Sequence, residues 1–386
     1  MNLNERYIVK IIDEDNIGNG IAKIDNKIIF IKNALLNEEI EIEIIKNNKN
    51  YMKGKIINII SKSNKRVNPV CKYYNKCGGC NFLHTTFENE IKIKTNYLEK
   101  LFNRKVEYLN INNELNYRNK VVLHIIKGKL GYFNDKTHEL CIINHCNLLN
   151  PKINLKIDEL SKMNLKNINE IMIRCINDKI MINIIGNISN FSIDCDSLYI
   201  NNNYINGEKY LIDEINNYKF SIYPESFYQI NREGMTNIYD KAKSYIGTSN
   251  SLLDLYCGTG TIGIWMSNNF NKIVGMEINE SSIKNANINK KLNNISNIEF
   301  ICDDAKNIKE KFDSIIVDPP RNGLSKDVID YLNNSGSNKI VYISCNPNTL
   351  KRDIDLLNKY ELIDLSYTNM FPRTKHCESI AVLERR

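Results

Sequence analysis

The residues up to 60 alternate short apolar-rich runs with turn formers. The runs are Arg6–Ile12, Gly20–Ile24, Lys27–Ile31, Glu39–Ile45 and Tyr51–Ile60, and Gly18, Gly20, Asp25-Asn26 and residues 47–50 separate them. Within Glu39-Ile40-Glu41-Ile42-Glu43-Ile44 the alternation is strict, the mark of a strand with one wet face. Five short strands at this spacing predict a small barrel of the OB type, a shape that holds nucleic acid. A Lys, Ser and Asn-rich linker, Ser61 to Asn68, follows. Residues 88–102 then place Ile91, Tyr97, Leu98 and Leu101 at helical spacing.

From Tyr117 to about Asn217 the pattern is strand-like again, with runs at Val121–Ile126, Lys129–Phe133, Ile171–Ile176 and Ile180–Ile185. The stretch from Ile153 to Leu211 carries no catalytic signal. Beyond Leu252 strands alternate with helices: Leu252–Tyr256, Lys272–Glu277, Ile298–Cys302, Ser314–Asp318 and Lys339–Ser344, with a helix over Glu280 to Leu292. That rhythm predicts an α/β fold, a parallel sheet covered on both faces with ligands at the carboxyl ends of its strands.

A chain of 386 residues accommodates two or three domains. Its net charge of +7 permits an RNA or DNA partner without requiring one. The N-terminus MNLNERYIVK has no apolar stretch of signal-peptide length, and no segment reaches the roughly 20 apolar residues of a membrane span. Eleven cysteines without a secretion signal argue for the reducing cytoplasm. They therefore call for burial, metal ligation or catalysis as explanations.

The chemistry collects at strand ends. Leu253-Asp254-Leu255-Tyr256-Cys257-Gly258-Thr259-Gly260-Thr261 is a glycine turn after a strand, and Glu277 ends the next strand, placed to bind ribose hydroxyls. Gly258, Gly260 and Gly263 match a dinucleotide fingerprint, so spacing alone leaves NAD open. An acid-rich site (Asp254, Glu277, Asp304) repels phosphates and suits a cationic sulfonium, which favours S-adenosylmethionine. Asp304 fits an adenine contact and an ordinary turn residue equally well.

Asp318-Pro319-Pro320-Arg321 closes the fourth strand with a stiff turn that leaves the carboxylate facing the cofactor's reactive end. Cys345, before Asn346-Pro347, ends the next, where a thiolate can attack an electrophilic carbon. Cys175, Cys195, Cys257 and Cys302 read as small buried hydrophobes. Glu378 precedes the apolar segment Ile380 to Leu383, a position open to a general base or to a solvated edge residue.

Cys71, Cys77 and Cys80 form a cluster of thiols, with Cys146 or Cys141 as a fourth. By count alone four thiolates suit zinc or an iron–sulfur cluster equally. Five residues between the first two cysteines do not fit the radical-SAM pattern. Lys72, Tyr73, Tyr74, Lys76, Arg118 and Lys120 supply cations and rings for single-stranded RNA, or a solvated rim.

The set DLYCGTGT, VDPPRNGL, SCNP and HCES, with Ser226 to Asn231 and Tyr117 to Lys120, resembles the RNA 5-methyluridine methyltransferases. The iron–sulfur-containing 23S rRNA (uracil-5-)-methyltransferases are the most similar branch, and the likeness covers nearly the whole chain. The resemblance implies a class I SAM-dependent methyltransferase domain of Rossmann-like type over residues 219–386. It also implies a TRAM-type β-barrel over 1–61 and a central iron–sulfur domain over 62–218, whose helix 88–102 packs toward the catalytic domain.

By the same resemblance Cys345 adds to C6 of uracil and Glu378 removes the C5 proton. Gln229, Tyr256, Thr261, Glu277, Asp304 and Asp318 contact cofactor or target base, and Cys71, Cys77, Cys80 and Cys146 hold a 4Fe–4S cluster. Cys146 is preferred to Cys141 because it matches the family position. Thr261 and Asp304 depart from the ribosomal branch, where Asn is common at both positions. The implied protein is a cytoplasmic monomer with 23S rRNA as partner. A tRNA substrate and a non-catalytic RNA-binding relative are the alternatives, and cytosine is disfavoured because no second cysteine stands near Asp318-Pro319-Pro320-Arg321.

Overall fold

The computed structural model describes residues 3–134, 137, 139–188 and 191–386. It divides into two compact units. The first holds the chain up to Arg104 with Phe133–Cys141 and Phe371–His376; the second holds Lys105–Tyr132, Ile142–Met370 and Cys377–Arg386.

In the first unit six strands form one sheet: β1 (Arg6–Lys10), β2 (Asp13–Glu14), β3 (Asn19–Ile24), β4 (Lys27–Lys32), β5 (Glu39–Asn47) and β6 (Tyr51–Ser61). Their order is β1-β5-β6-β4-β3-β2. The alternation in β5 does what it predicts, sealing Ile40, Ile42 and Ile44 into a core with Val9, Ile29, Ile31 and Met52. The run Arg6–Ile12 is a strand only as far as Lys10, because Ile11 is buried and spends its backbone off the ladder. Its N–H donates to Glu38 and its carbonyl accepts from Asn37.

Helix α1 (Phe87–Phe102) starts where Thr86 accepts from the Asn89 N–H, with Glu88 and Glu90 in its first turn. Asn103, in the left-handed region, closes it. Its buried face includes a charge network as well as Ile93, Leu98 and Phe102. Lys94 Nζ donates to Glu90 at 2.8 Å and to the His376 carbonyl at 3.0 Å, and Glu90 also accepts from the Arg373 backbone N–H. Buried charges are tolerated only when bonded in this way.

The second unit contains a sheet built around Lys120–Ile126, Ile168–Ile176 and Lys179–Gly186. A helix, Pro151–Ser161, interrupts the stretch that reads as strands in sequence. After the hairpin Leu211–Ile215 and Tyr218–Ile222 comes the sheet that carries the candidate site. Its strands are β7 (Glu107–Leu109), β8 (Ser249–Leu255), β9 (Phe270–Glu277), β10 (Ile298–Cys302), β11 (Ser314–Val317), β12 (Lys339–Ser344), β13 (Tyr360–Thr368) and β14 (Glu378–Arg385), in the order β10-β9-β8-β11-β12-β14-β13-β7.

The five strands expected from the sequence are mutually parallel. Three more complete the sheet. The strand β14 runs antiparallel to both β12 and β13, and β7 joins the edge beside β13. Leu252 to Leu255 are fully buried, as a strand covered on both faces requires. Helices α2 (Arg232–Ile246), α3 (Thr261–Trp265) and α4 (Glu280–Leu292) belong to the same unit. Among the described residues no helix is long and apolar enough to cross a membrane.

Candidate active site

Strand register assembles the site. Leu255 of β8 stands level with Met276 of β9 and Val317 of β11. The next residues, Tyr256, Glu277 and Asp318, therefore leave three neighbouring strands side by side. Glu277 is in turn level with Cys302 of β10, so Asp303 and Asp304 follow one strand further out. On the other flank the antiparallel pair Ser344 with Ser379 means that one more step sets Cys345 opposite Glu378. Two residues 33 apart in sequence meet because β14 enters the sheet antiparallel.

The glycine turn is tight for steric reasons. Tyr256, Gly258 and Gly260 all take positive φ, of 64°, 52° and 77°. A Cβ on Gly260 would stand 2.4 Å from the Phe300 ring. The turn is tied down by Asp254, whose Oδ2 accepts from the Gly263 N–H at 2.9 Å while Oδ1, equally buried, has no partner. Burial pushes the Asp254 carboxyl up to about 8; the Gly263 N–H opposes this, and the charges of Asp318 and Glu277 add to it.

Thr261 is buried and shares a hydrogen bond of 3.0 Å with Tyr239. Glu277 Oε1 accepts from the Asn279 N–H. Asp304 serves its own turn, accepting from the Lys306 N–H and pairing with the Lys306 ammonium at 3.2 Å, which together hold its carboxyl below the usual range. Gln229 is buried, and its carbonyl accepts from Asn119 Nδ2 at 3.1 Å. Nearby, Phe227 is exposed.

The electrostatics at the reacting end are those of crowded acids. Burial raises the Glu378 carboxyl well above the ordinary range; Asp318 adds to the rise and Arg321 opposes it. Burial raises Asp318 as well, although part of its side chain still meets water. The half-buried Cys345 thiol is pushed up first by burial and then by Glu378. Arg321, by charge and by donating a hydrogen bond, acts to lower it, and Asp318 raises it. Burial thus works against the charged form of both the thiol and the carboxyl in the resting site. Carboxyls crowded at neighbouring strand ends disfavour phosphates and suit a cation.

Tyr239 and the bonded state of Asp254 escape sequence reasoning. Tyr239 lies on α2, whose periodicity marks only a core face, yet it is fully buried against Thr261 and feels Asp318, Asp254 and Glu378. Of the cysteines expected to be buried, Cys175 and Cys257 are; Cys195 is half-buried and Cys302 is exposed, because β10 is the edge strand of the sheet.

Cys71, Cys77, Cys80 and Cys146 are each half-buried, and among the described residues no group of three or more His, Cys, Asp or Glu side chains is drawn together as a metal site. Cys71, Cys77, Cys80 and also Cys141 lie in the first unit, and Cys146 lies in the second. Cys71 stands close enough to Cys141 that its charge raises the Cys141 thiol. Cys77 ends the helical turn Tyr74–Cys77, and Gly78, in the left-handed region, turns the chain before Cys80.

The model of the tRNA (uracil-5-)-methyltransferase family matches residues 153–311 and 303–386, and that of the TRAM domain matches residues 2–57. A protein of Clostridium acetobutylicum described as an uncharacterized RNA methyltransferase is 32% identical over 448 residues, covering 99% of this chain and 97% of its own. One from Staphylococcus aureus strain N315, described in the same words, is 31% identical over 437 residues and 96% of each chain. The crystal structure of Pyrococcus abyssi tRNA (uracil-54, C5)-methyltransferase in complex with S-adenosyl-L-homocysteine superposes with a TM-score of 0.83 at 24% identity. It covers 98% of this chain and 100% of that one, and shares the fold.

Proposed function

The chain belongs to the tRNA (uracil-5-)-methyltransferase family and carries a TRAM domain, and from that premise we propose that it methylates C5 of a uridine in 23S rRNA. The observation that carries the reading is the register that sets Cys345 opposite Glu378 on strands beside Asp318. S-adenosylmethionine supplies an electrophilic methyl group. The glycine turn with its open Gly258, the orphan Asp254 oxygen and the neighbouring acids fit that cation. Tyr256, Thr261, Glu277, Asp304 and Asp318 are the residues proposed to hold it, with Gln229 toward the base.

Uracil C5 is a poor nucleophile until something adds to C6. The Cys345 thiol gives up its proton to solvent beside Arg321, and its Sγ bonds to C6. The C5–C6 double bond opens, and the electrons pass to C5 as an enolate, which would take the methyl group as the sulfonium–methyl bond breaks and neutral S-adenosylhomocysteine leaves. Glu378 then removes the C5 proton, the sulfur–carbon bond breaks and the double bond returns. Covalent addition divides one hard step into easier ones. A carboxylate whose pKa is raised by burial is a stronger base once ionised. The target base has to leave its stack to reach Cys345, which a loop or a flipped nucleotide provides.

Arg321 is the group that favours the thiolate. With Arg321→Gln the thiol rises further, so the alkaline rise of kcat/KM with pH moves to higher pH and the rate at neutral pH falls severalfold. Its exposure keeps the effect moderate. An unmoved pH profile would show that Arg321 does not act on the thiol.

The choice of ribosomal RNA rests on the cysteines, and so does a 4Fe–4S cluster on Cys71, Cys77, Cys80 and Cys146. Their number and spacing support it, the geometry does not, and no step passes through it. The division into 1–61, 62–218 and 219–386 is likewise a proposal. A single experiment tests substrate and cluster together. Protein purified without oxygen is analysed for iron and sulfide, then mixed with methyl-labelled S-adenosylmethionine and unmodified rRNA or tRNA in separate tubes. Label in 5-methyluridine from rRNA is the expected result. Label only in tRNA moves the substrate to tRNA, and absence of iron and sulfide removes the cluster.

A further inference from the structure

One face of α4 carries a buried polar chain that the reaction scheme does not use. Asn285 and Asn289, one turn apart, are 4% and 0% exposed. Asn289 Nδ2 donates to the Thr259 carbonyl at 2.9 Å, in the middle of the glycine turn. Its Oδ1 accepts from both the N–H and the hydroxyl of Ser221, each at 2.7 Å. The Ser221 hydroxyl accepts in turn from Asn285 Nδ2 at 2.6 Å, and Asn285 Oδ1 accepts from the Ser226 hydroxyl at 2.6 Å. Ser226 Oγ accepts from the Tyr223 N–H, and Arg174, 1% exposed, donates to the Ser226 carbonyl at 3.0 Å.

The chain of bonds thus runs without a gap from Thr259 to Ser226, three residues before Gln229. Each side-chain nitrogen and oxygen of the two asparagines has at least one partner. A network so fully satisfied in a dry interior is stiff, and its links reinforce one another. For folding alone, apolar packing of this helix face would have served at least as well.

We propose that Asn285 and Asn289 are positioning residues that hold the loop carrying Gln229 in fixed register with the cofactor turn, so that cofactor and RNA bind cooperatively. This rests on the proposed methyl transfer and names a regulation of that same site. Cofactor seated on the turn fixes the Thr259 carbonyl; through the bracket it fixes Ser226 and the start of the loop that meets the base. The ordering is then done once for both ligands, and by linkage each tightens the other by the same factor.

The test uses the full chain, with S-adenosylhomocysteine as probe and the RNA transcript that accepts label from the wild type. Its Kd is measured by calorimetry with and without saturating transcript, for the wild type, Asn289→Ala and Asn285→Ser. The wild type is expected to show at least about a fivefold tightening by RNA. In Asn289→Ala the free enzyme binds the probe about tenfold more weakly, from the loss of the turn's anchor, and the tightening disappears. In Asn285→Ser, a milder change that keeps the Thr259 anchor, affinity without RNA is unchanged and only the tightening is lost.

A merely structural role lowers the melting temperature and the active fraction but leaves this ratio intact. A wild-type ratio of one, or a ratio preserved in both variants, overturns the proposal. If no transcript accepts label from the wild type, the functional reading itself fails. The RNA-free measurements then decide the bracket alone, equal affinity of Asn289→Ala and Asn285→Ser counting against it.

Discussion

Cys345→Ala is expected to lower methyl transfer by at least about 10⁴-fold and to eliminate any covalent complex with RNA. No neighbour can replace the thiol. The Ser344 hydroxyl is committed to Asn346, donating to its carbonyl and accepting from its N–H. Cys257 is buried with its thiol held well above the ordinary range, and Asp318 is a carboxyl, too weak a nucleophile to add to uracil C6. The substitution itself is mild. Cys345 is half-buried and follows the last residue of β12, so alanine changes stability by no more than about 1 kcal/mol.

S-adenosylhomocysteine affinity is therefore expected to stay at the wild-type level while chemistry vanishes. Labelled methyl counts and a denaturing gel of enzyme with RNA read the two losses separately. Transfer persisting within about tenfold of wild type would sink covalent catalysis by this residue.

Much of this was legible before the structure, for reasons that can be named. The barrel strand Glu39–Asn47 shows its buried face because three isoleucines alternate with three glutamates. The strands ending at Leu255, Glu277, Cys302, Val317 and Ser344 announce themselves as apolar runs that stop at residues with chemistry. All but the edge strand Ile298–Cys302 are largely buried on both faces, the case in which sequence pattern and burial coincide most closely.

What stayed hidden was non-local. Nothing in the run Tyr360–Thr368 says that it will pair with Glu378–Arg385, or that this hairpin will insert beside β12 and so deliver Glu378 to Cys345. Glu378 alone reads as well as an edge residue as it does as a base. Likewise the helix Glu280–Leu292 is plain, but the use of Asn285 and Asn289 to reach two loops is not. Their amides look like surface polarity until the partners, some 60 and 30 residues away in sequence, are known. The cysteine spacing invites a four-thiol site, while among the described residues no such group is drawn together.

Glu378→Gln is expected to separate the two halves of the reaction. Glutamine keeps the size of the side chain, so β14 still opens opposite Thr368 with its first residue buried. Burial works against the charged carboxyl, and an amide resembles its neutral form, so the variant is no less stable than the wild type at neutral pH. The sign at higher pH follows from the raised carboxyl. The wild type gains stability from it below the unfolded pKa of a glutamate and loses that stability as pH rises through the folded value. The variant has nothing to ionise there, so the difference in melting temperature moves in its favour as the medium becomes alkaline.

Chemically, Glu378 acts at two points. Its charge raises the Cys345 thiol, so removing it eases thiolate formation and addition to C6. Its carboxylate is the proposed acceptor for the C5 proton, and without it the methylated adduct cannot eliminate. Faster entry and blocked exit both make the covalent enzyme–RNA complex accumulate, with turnover down by about 10² to 10⁴-fold. One enzyme equivalent of methyl-labelled adduct that survives denaturation is the expected observation. Turnover lost with no adduct, in protein that still binds S-adenosylhomocysteine, would assign Glu378 to the addition step and remove it as the base.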